Sequence, residues 1–210
     1  MFAAVGELLQ NPTMLAIRLR NAISSTFLRL VSGRSFGRLG KGSRIVRPVG
    51  IERADRIFID DDVFVAPLTG LQVYDRPEAG RLDIGAGCKI GRFNHIYAYG
   101  SVRLEPKVLT ANGVYISDNS HRFENPDVAI MDQPIDPLAE TVIGEGSWIG
   151  HNAVVFGARI GRHCVIAANA VVNRNIPDHC VVVGVNRIVR RLDTEQDIWR
   201  RTLEDGSFAD

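Results

Sequence analysis

Aliphatic residues return at every sixth position over long stretches of this chain. Ile84, Ile90, Ile96, Val102, Val108 and Val114 form one run. The same beat opens earlier at Ile45, Ile51, Ile57 and Val63, and resumes at Ile143, Ile149 and Val155 and again at Ile160, Ile166 and Val172. A period of six matches neither the 3.6 of a helix nor the alternation of a half-buried strand. It is the pattern of a parallel β-helix, in which each hexad supplies one short strand and a corner and three hexads close a triangular coil. The leading aliphatics then stack as ladders inside the prism, and the predicted class is all-β.

Other hexad positions follow from that geometry. The residue after the aliphatic is often glycine (Gly85, Gly91, Gly144, Gly150, Gly161), as expected where a corner needs positive φ. The fifth position is often small (Cys88, Ser147, Ala153, Cys164, Ala170), as the narrow inside of a corner requires. From Val155 to Ile160 the step is five, around Gly157, so a distortion is expected there.

The flanks break the period. Asn11-Pro12 reads as an N-cap followed by proline at the first helical position. Leu15, Leu19, Ile23, Phe27 and Leu30 then share one helical face, with Arg18, Ser25 and Arg29 on another. Residues 1–42 are therefore expected to form a cap on the open end of the solenoid. The alternative reading is a helix that makes weak contact with a membrane surface or a partner, because it is basic and apolar together. The solenoid is expected over 43–192, with repeats from about Ser43 to Val183. Insertions are expected at about 69–83, which carries Tyr74, Asp75, Arg76, Pro77 and Glu78, and at about 117–140. About five coils remain after these are discounted. Residues 193–210, with Asp197-Ile198-Trp199, read as a short helical tail.

Composition narrows the function classes. The chain has 210 residues, enough for one sizeable core, and 25 basic against 24 acidic residues for a net charge of +1. No clustered basic excess of the kind nucleic acid demands is evident. The 3 cysteines are odd in number and lack a C-x-x-C pair. They read as reduced buried thiols, which suits the cytoplasm. No apolar run approaches the roughly 18 residues of a membrane span, and no cleavable signal peptide is evident.

The candidate chemistry lies in the second insertion and the coils after it. The insertion opens Ser117-Asp118-Asn119-Ser120-His121-Arg122-Phe123 and continues Pro126-Asp127-Val128-Ala129-Ile130-Met131-Asp132-Gln133-Pro134. The next coil reads Ile143-Gly144-Glu145-Gly146-Ser147-Trp148-Ile149-Gly150. A later one reads Val165-Ile166-Ala167-Ala168-Asn169-Ala170-Val171-Val172-Asn173-Arg174-Asn175-Ile176-Pro177. This order, over about Gly37 to Leu192, resembles the hexapeptide-repeat acyltransferases, in particular sugar O-acetyltransferases of the maltose/galactoside and exopolysaccharide type.

The resemblance implies a left-handed β-helix, three chains packed side by side as a homotrimer, and acetyl-CoA in the groove between neighbours. It implies that His121 is the general base. An imidazole suits the task, because a sugar hydroxyl is a poor nucleophile at neutral pH and needs a base that titrates nearby. The family motif often reads Asp-His-Ser-His, whereas this chain has Asp118-Asn119-Ser120-His121, so His121 is the one base the motif offers. Asp118 or Glu124 could orient the imidazole, and Asn119 belongs to the same constellation. His95 reads either as packing beside a ladder or as lining an acceptor pocket. Asn94 falls in a small corner slot, where an internal amide competes with a ligand contact. For the cofactor, the resemblance points to Trp148, Gly150, His151, Ala167 and Ala168, largely through backbone groups, one of which could serve a developing oxyanion. Arg174 stands where a lysine is common. Arg187 and Arg190 could replace a further missing lysine, since cations suit the phosphates.

Four functions compete. An O-acetyltransferase acting on a sugar, nucleotide-sugar or surface polysaccharide is the leading one. An amino-sugar N-acyltransferase would use His121 equally well. A γ-type carbonic anhydrase needs three histidines on zinc, and His121 has no histidine within about 20 residues, so no metal is expected. A non-catalytic scaffold completes the set.

Overall fold

The computed structural model describes residues 11–75, 80–203 and 206–209. Short strands stack in parallel into three sheets, the faces of a triangular prism, and the chain visits them in turn. The first face has six strands, from Arg38–Leu39 to Arg159–Ile160; the third has six, from Gly50–Glu52 to Val171–Val172. The second face has nine, because the chain adds antiparallel strands after Cys180–Val183. The interior is aliphatic and closed: Ile84, Ile90, Ile96, Ile143, Ile149, Val155, Ile160, Ile166 and Val172 are all buried. Burial of this kind contributes about 1.5–3 kcal/mol per large side chain, and it recurs at every level of the prism.

The ladders run differently from the numerical beat. Leu104, not Val102, pairs with Ile84 and Ile143. Ile116, not Val114, pairs with Ile96 and Val155. Eight residues therefore separate Ile96 from its successor, and Val102, Val108 and Val114 drop into the second inward position of each hexad. Val108 precedes Leu109, which pairs with Lys89 and Trp148, so it shares a slot with Cys88 and Ser147. Val114 likewise shares a slot with Asn94 and Ala153, and all are buried. Ile57 slips in the same way, pairing with Leu82. Valine is small enough for the corner slot and apolar enough for the ladder, so the beat continues while its phase changes. Thr110 takes the vacated ladder place, where its Oγ1 accepts the Gly91 N–H at 3.0 Å and a hydrogen bond from the Asn94 amide.

The glycines after the aliphatics also have a different cause. Gly85, Gly91, Gly144, Gly150 and Gly161 are not among the positive-φ residues, which fall at Gly87, Gly113, Gly146 and at side-chain-bearing positions such as Phe93, Asn152 and Asn169. A Cβ on Gly85 would sit 2.7 Å from the Pro106 nitrogen, and one on Gly150 would sit 2.6 Å from the Ala168 nitrogen. These glycines are required by the closeness of the next coil. Gly157, in the five-residue step, does take the left-handed region, with φ 57°.

Four further expectations are corrected. Gly70–Val73 and Arg81–Ile84 are solenoid strands, so the first interruption shrinks to the residues between them. Arg76, Pro77 and Glu78 lie outside the described residues. The coils begin at Arg38 and number six, because those strands and Arg38–Leu39 belong to the prism. The tail is a β-hairpin: Arg187–Asp193 pairs antiparallel with Ile198–Arg201. Asp193 drives that turn, accepting the Glu195 and Gln196 N–H groups and pairing with Arg200 at 3.2 Å.

The fourth correction concerns the helix α1, Pro12–Ser32. Asn11 caps it, its side chain accepting the Met14 N–H at 3.0 Å. The helix meets the first coil with its polar flank. Ser25 is buried, Leu28 packs on the core, and Arg29 donates to the carbonyls of Gly40 and Ser43 at 2.7 Å each. Leu19, Ile23, Phe27 and Leu30, the residues expected to cover the prism end, are exposed. Main-chain carbonyls freed at the start of the solenoid outcompete an apolar stripe for this contact, because a buried carbonyl without a donor is costly. Among the described residues, no helix is long and apolar enough to cross a membrane.

Candidate functional site

The second insertion is an arm. It leaves the edge between the third and first faces, runs out as Asn119–His121 and returns as Ile135–Pro137, an antiparallel pair in which His121 opposes Ile135. Its base is tied down by Thr141, whose hydroxyl donates to the Ser117 carbonyl at 2.6 Å and accepts the Gly157 N–H at 2.8 Å. Leu138 N–H adds a bond to the Asp118 carbonyl at 2.9 Å. His121 is exposed on this arm.

Asp118 is buried, and its carboxylate accepts the N–H groups of Tyr99, Gly100 and Ser101 at 2.6, 2.7 and 2.6 Å. It therefore holds the corner beneath the arm, and an orienting bond to His121 is not the use the fold makes of it. Asn119 is also buried, its amide donating to Ser117 Oγ at 2.9 Å. Glu124 is exposed and accepts the Phe123 N–H at 3.1 Å. It lines a hollow of about 430 Å³ with Arg122 and Gln133 at the far part of the arm. Phe123, Ile130 and Met131 on the arm are exposed at 69%, 55% and 84%.

Beside the arm lies the outer surface of the third face. His95 stands on it, exposed, with its ring nitrogen in a hydrogen bond with Gln72 and its ring 5.9 Å from that of Tyr115. Packing beside an interior ladder is thereby excluded for His95. Asn94, by contrast, is internal. Its amide oxygen accepts the Val114 N–H at 2.7 Å and its nitrogen reaches Thr110, so it is a strut between coils and cannot touch an acceptor.

The four tyrosines of the chain gather at this surface and its edge, a feature the sequence analysis missed. Tyr74 lies 6.3 Å from Tyr97 and 5.2 Å from Tyr99, and His95 links Tyr97 to Tyr115. Burial, with the neighbouring Tyr74 and Glu52 adding to it, pushes the Tyr97 phenol up to about 12. The signal was available. Tyr97 and Tyr115 each adjoin a ladder isoleucine, so strand alternation turns them outward.

The residues assigned to the cofactor cluster on the late coils. Trp148 is 46% exposed on the second face and shares a cross-strand row with Val165, Val181 and Arg190. Gly150 and His151 follow it on the edge between the second and third faces, and Ala167 and Ala168 lie one coil further on the same edge. The Gly150 N–H is committed to Ile166 at 2.7 Å, and the His151 carbonyl accepts the Asn169 N–H at 2.8 Å. Arg174 lies on the arm's edge, at the last coil. Its guanidinium donates to the Asn186 carbonyl at 2.7 Å, which brings it beside Arg187. The fold thus gathers Arg174 and Arg187 at one end of the prism, with Arg190 further along the strand of Arg187, and leaves His121 at mid-height on the arm.

All three cysteines are buried and free. Burial pushes the Cys88 thiol up to about 11. Among the described residues, no group of three or more His, Cys, Asp or Glu side chains is placed to hold a metal ion.

The architecture is a triangular parallel solenoid built largely on hexads, with a histidine-bearing arm. The family described as bacterial transferase hexapeptide (six repeats) matches residues 140–174, and the likeness to solved structures gives the fold as a left-handed β-helix. Rv3034c of Mycobacterium tuberculosis, named as a probable acetyltransferase, is 35% identical over 141 residues, covering 64% of this chain and 46% of its own. WbbJ of Escherichia coli, named for lipopolysaccharide biosynthesis O-acetyl transfer, is 32% identical over 123 residues, covering 54% of this chain and 62% of its own. The chain thus spans about half to three-fifths of these relatives. Among solved structures, the hexapeptide-repeat acetyltransferase VCA0836 of Vibrio cholerae, complexed with acetyl coenzyme A, superposes with TM-score 0.58 at 20% identity over 91% of this chain and 90% of that one. A variant of AntD, an N-acyltransferase of Bacillus cereus in complex with dTDP and coenzyme A, gives 0.68 at 16% identity over 80% and 90%.

Proposed function

We propose that this chain is an acetyl-CoA-dependent O-acetyltransferase that acts on a sugar hydroxyl, with His121 as its general base. The observation that carries the reading is the placement of His121: exposed, on an arm anchored through Asp118, beside a face that presents Tyr97, Tyr115 and His95. Aromatic rings offer flat apolar surfaces to the C–H faces of a pyranose, and their polar tips can bind its hydroxyls. In the reaction, His121 takes the proton of the acceptor hydroxyl as its oxygen attacks the thioester carbonyl. The tetrahedral oxyanion collapses, the C–S bond breaks, and the departing thiolate receives the proton from the imidazolium. Trp148, His151, Ala167 and Ala168 line the path of the cofactor in this reading, and Arg174, Arg187 and Arg190 meet its phosphates.

The active assembly is a homotrimer. Phe123, Ile130 and Met131 on the arm call for cover, and a neighbouring chain under cyclic symmetry supplies it. The location is the cytoplasm, where acetyl-CoA and reduced thiols coexist. An amino-sugar N-acyltransferase is the second reading, favoured by the likeness to AntD. The test is a thiol-release assay with acetyl-CoA over a panel of sugars, amino sugars and nucleotide-sugars. Turnover on hydroxyl acceptors supports the first reading, turnover confined to amines supports the second, and no turnover or acyl-CoA binding leaves a scaffold. Light scattering at micromolar concentration checks the trimer, and a mass near that of one chain contradicts it.

A further inference from the structure

The helix α1 turns its apolar stripe away from the protein. Leu19, Ile23, Phe27 and Leu30 are 54%, 68%, 65% and 79% exposed, and at 3.6 residues per turn they fall within an arc of about 80°. The opposite side is the docked one, fixed by Ser25, Leu28 and the two Arg29 hydrogen bonds. This orientation is not free to invert without breaking those contacts.

Charge is segregated with the stripe. Residues 11–49, which comprise the helix and the first two strands of the first coil, contain eight Lys and Arg and no Asp or Glu. The remaining chain carries 17 basic against 24 acidic residues, so a net charge of +1 hides a strongly basic end. Arg18 and Arg20 are exposed on the helix itself, and Arg34, Lys41 and Arg47 are exposed in the segment that follows. The helix is also too polar to span a bilayer.

We propose that this end of the prism binds an anionic lipid surface, with the Leu19–Ile23–Phe27–Leu30 stripe at the acyl boundary and the flanking cations on the phosphates. An amphipathic helix that is apolar on one side, basic on its flanks and insufficiently hydrophobic to insert is the form that lies in a membrane interface. Anionic headgroups complement a helix whose described residues include no acid, although Arg38 below it is paired with Asp60 and Asp61 of the next coil, and each cation near such a surface adds to the attraction. A second copy's helix would bring cations against cations. The inference stands independently of the acyl-transfer reading, since it uses none of those residues.

The experiment is co-sedimentation of the full chain with vesicles. Wild type should pellet with mixed phosphatidylcholine–phosphatidylglycerol vesicles and partition at least tenfold less onto pure phosphatidylcholine. High salt should release part of the bound fraction. The double variant I23D/F27D, altered only at exposed positions, should lose at least tenfold in binding to the mixed vesicles while keeping its circular dichroism and its mass by light scattering. Wild type that stays in the supernatant, or pellets equally with neutral vesicles, overturns the proposal. So does a double variant that changes oligomeric mass yet still pellets, because the stripe would then be covered by a second copy.

Discussion

The carboxylate of Asp118 accepts the backbone N–H of Gly100 at 2.7 Å, and this bond joins the root of the histidine-bearing arm to the corner of the preceding coil. Two more amides, from Tyr99 and Ser101, converge on the same side chain. A buried carboxylate held by three donors is worth more than a surface contact, since hydrogen bonds to charged groups contribute about 1.5–3 kcal/mol each and their loss leaves amides unpaired. Asp118→Ala should therefore lower stability by about 3 kcal/mol or more. Thermal unfolding should show it, and activity should fall with it because His121 lies three residues on. An unchanged melting temperature would contradict the anchoring role.

Gly85 tests the packing of the coils. A Cβ there would lie 2.7 Å from the Pro106 nitrogen and 2.8 Å from the Glu105 carbonyl carbon, both rigid main-chain atoms. Gly85→Ala should destabilise by about 1–3 kcal/mol, as overpacking does, although φ at this position suits alanine. If the next coil left room for a Cβ, the substitution would be neutral or stabilising at this φ, and that result would contradict the close approach.

How much of this was legible in the sequence depends on what each residue contacts. The hexad beat was legible because most inward positions are aliphatic whichever residue they meet, the polar ones such as Thr110 and Asn94 being held by hydrogen bonds. Its phase slip at Val102 was not, because valine satisfies both inward slots. The stripe from Leu19 to Leu30 announced an amphipathic helix, but hydropathy does not say which face a neighbour covers, and Arg29 decided that by capping carbonyls. The tail misled because Asp197-Ile198-Trp199 suits helix and strand alike, while the turn made by Asp193 has no strong local spacing. His121 was legible through resemblance. Asp118 as an anchor was not, since its partners are main-chain amides of another coil. Tyr97 and Tyr115 could have been found by reading strand alternation outward from Ile96 and Ile116.

The thiols offer a check on the closed core. Cys88, Cys164 and Cys180 are buried, which bars a reagent from all three; burial also raises the Cys88 thiol to about 11, whereas a hydrogen bond with Cys164 lowers that of Cys180. The thiolate is the reactive form. A disulfide-exchange reagent at neutral pH should find no rapidly reacting thiol in the folded protein and three after denaturation. A thiol that reacts within seconds in the native state would contradict the closed interior.

Arg174→Ala should raise the KM for acetyl-CoA with a smaller change in kcat, the pattern for an interaction made equally in the ground and transition states. The wild-type affinity should weaken as ionic strength rises. A KM that does not move would shift the phosphate contact to Arg187 and Arg190.

His121→Ala is the most direct test of the proposed chemistry. The side chain is exposed on the arm, so its removal leaves the solenoid intact. Single-turnover and steady-state rates should fall by about 10²–10⁴, the contribution of a positioned base, while acetyl-CoA affinity by calorimetry and the melting temperature stay at the wild-type values. A variant that retains more than about a tenth of the wild-type rate would contradict His121 as the base.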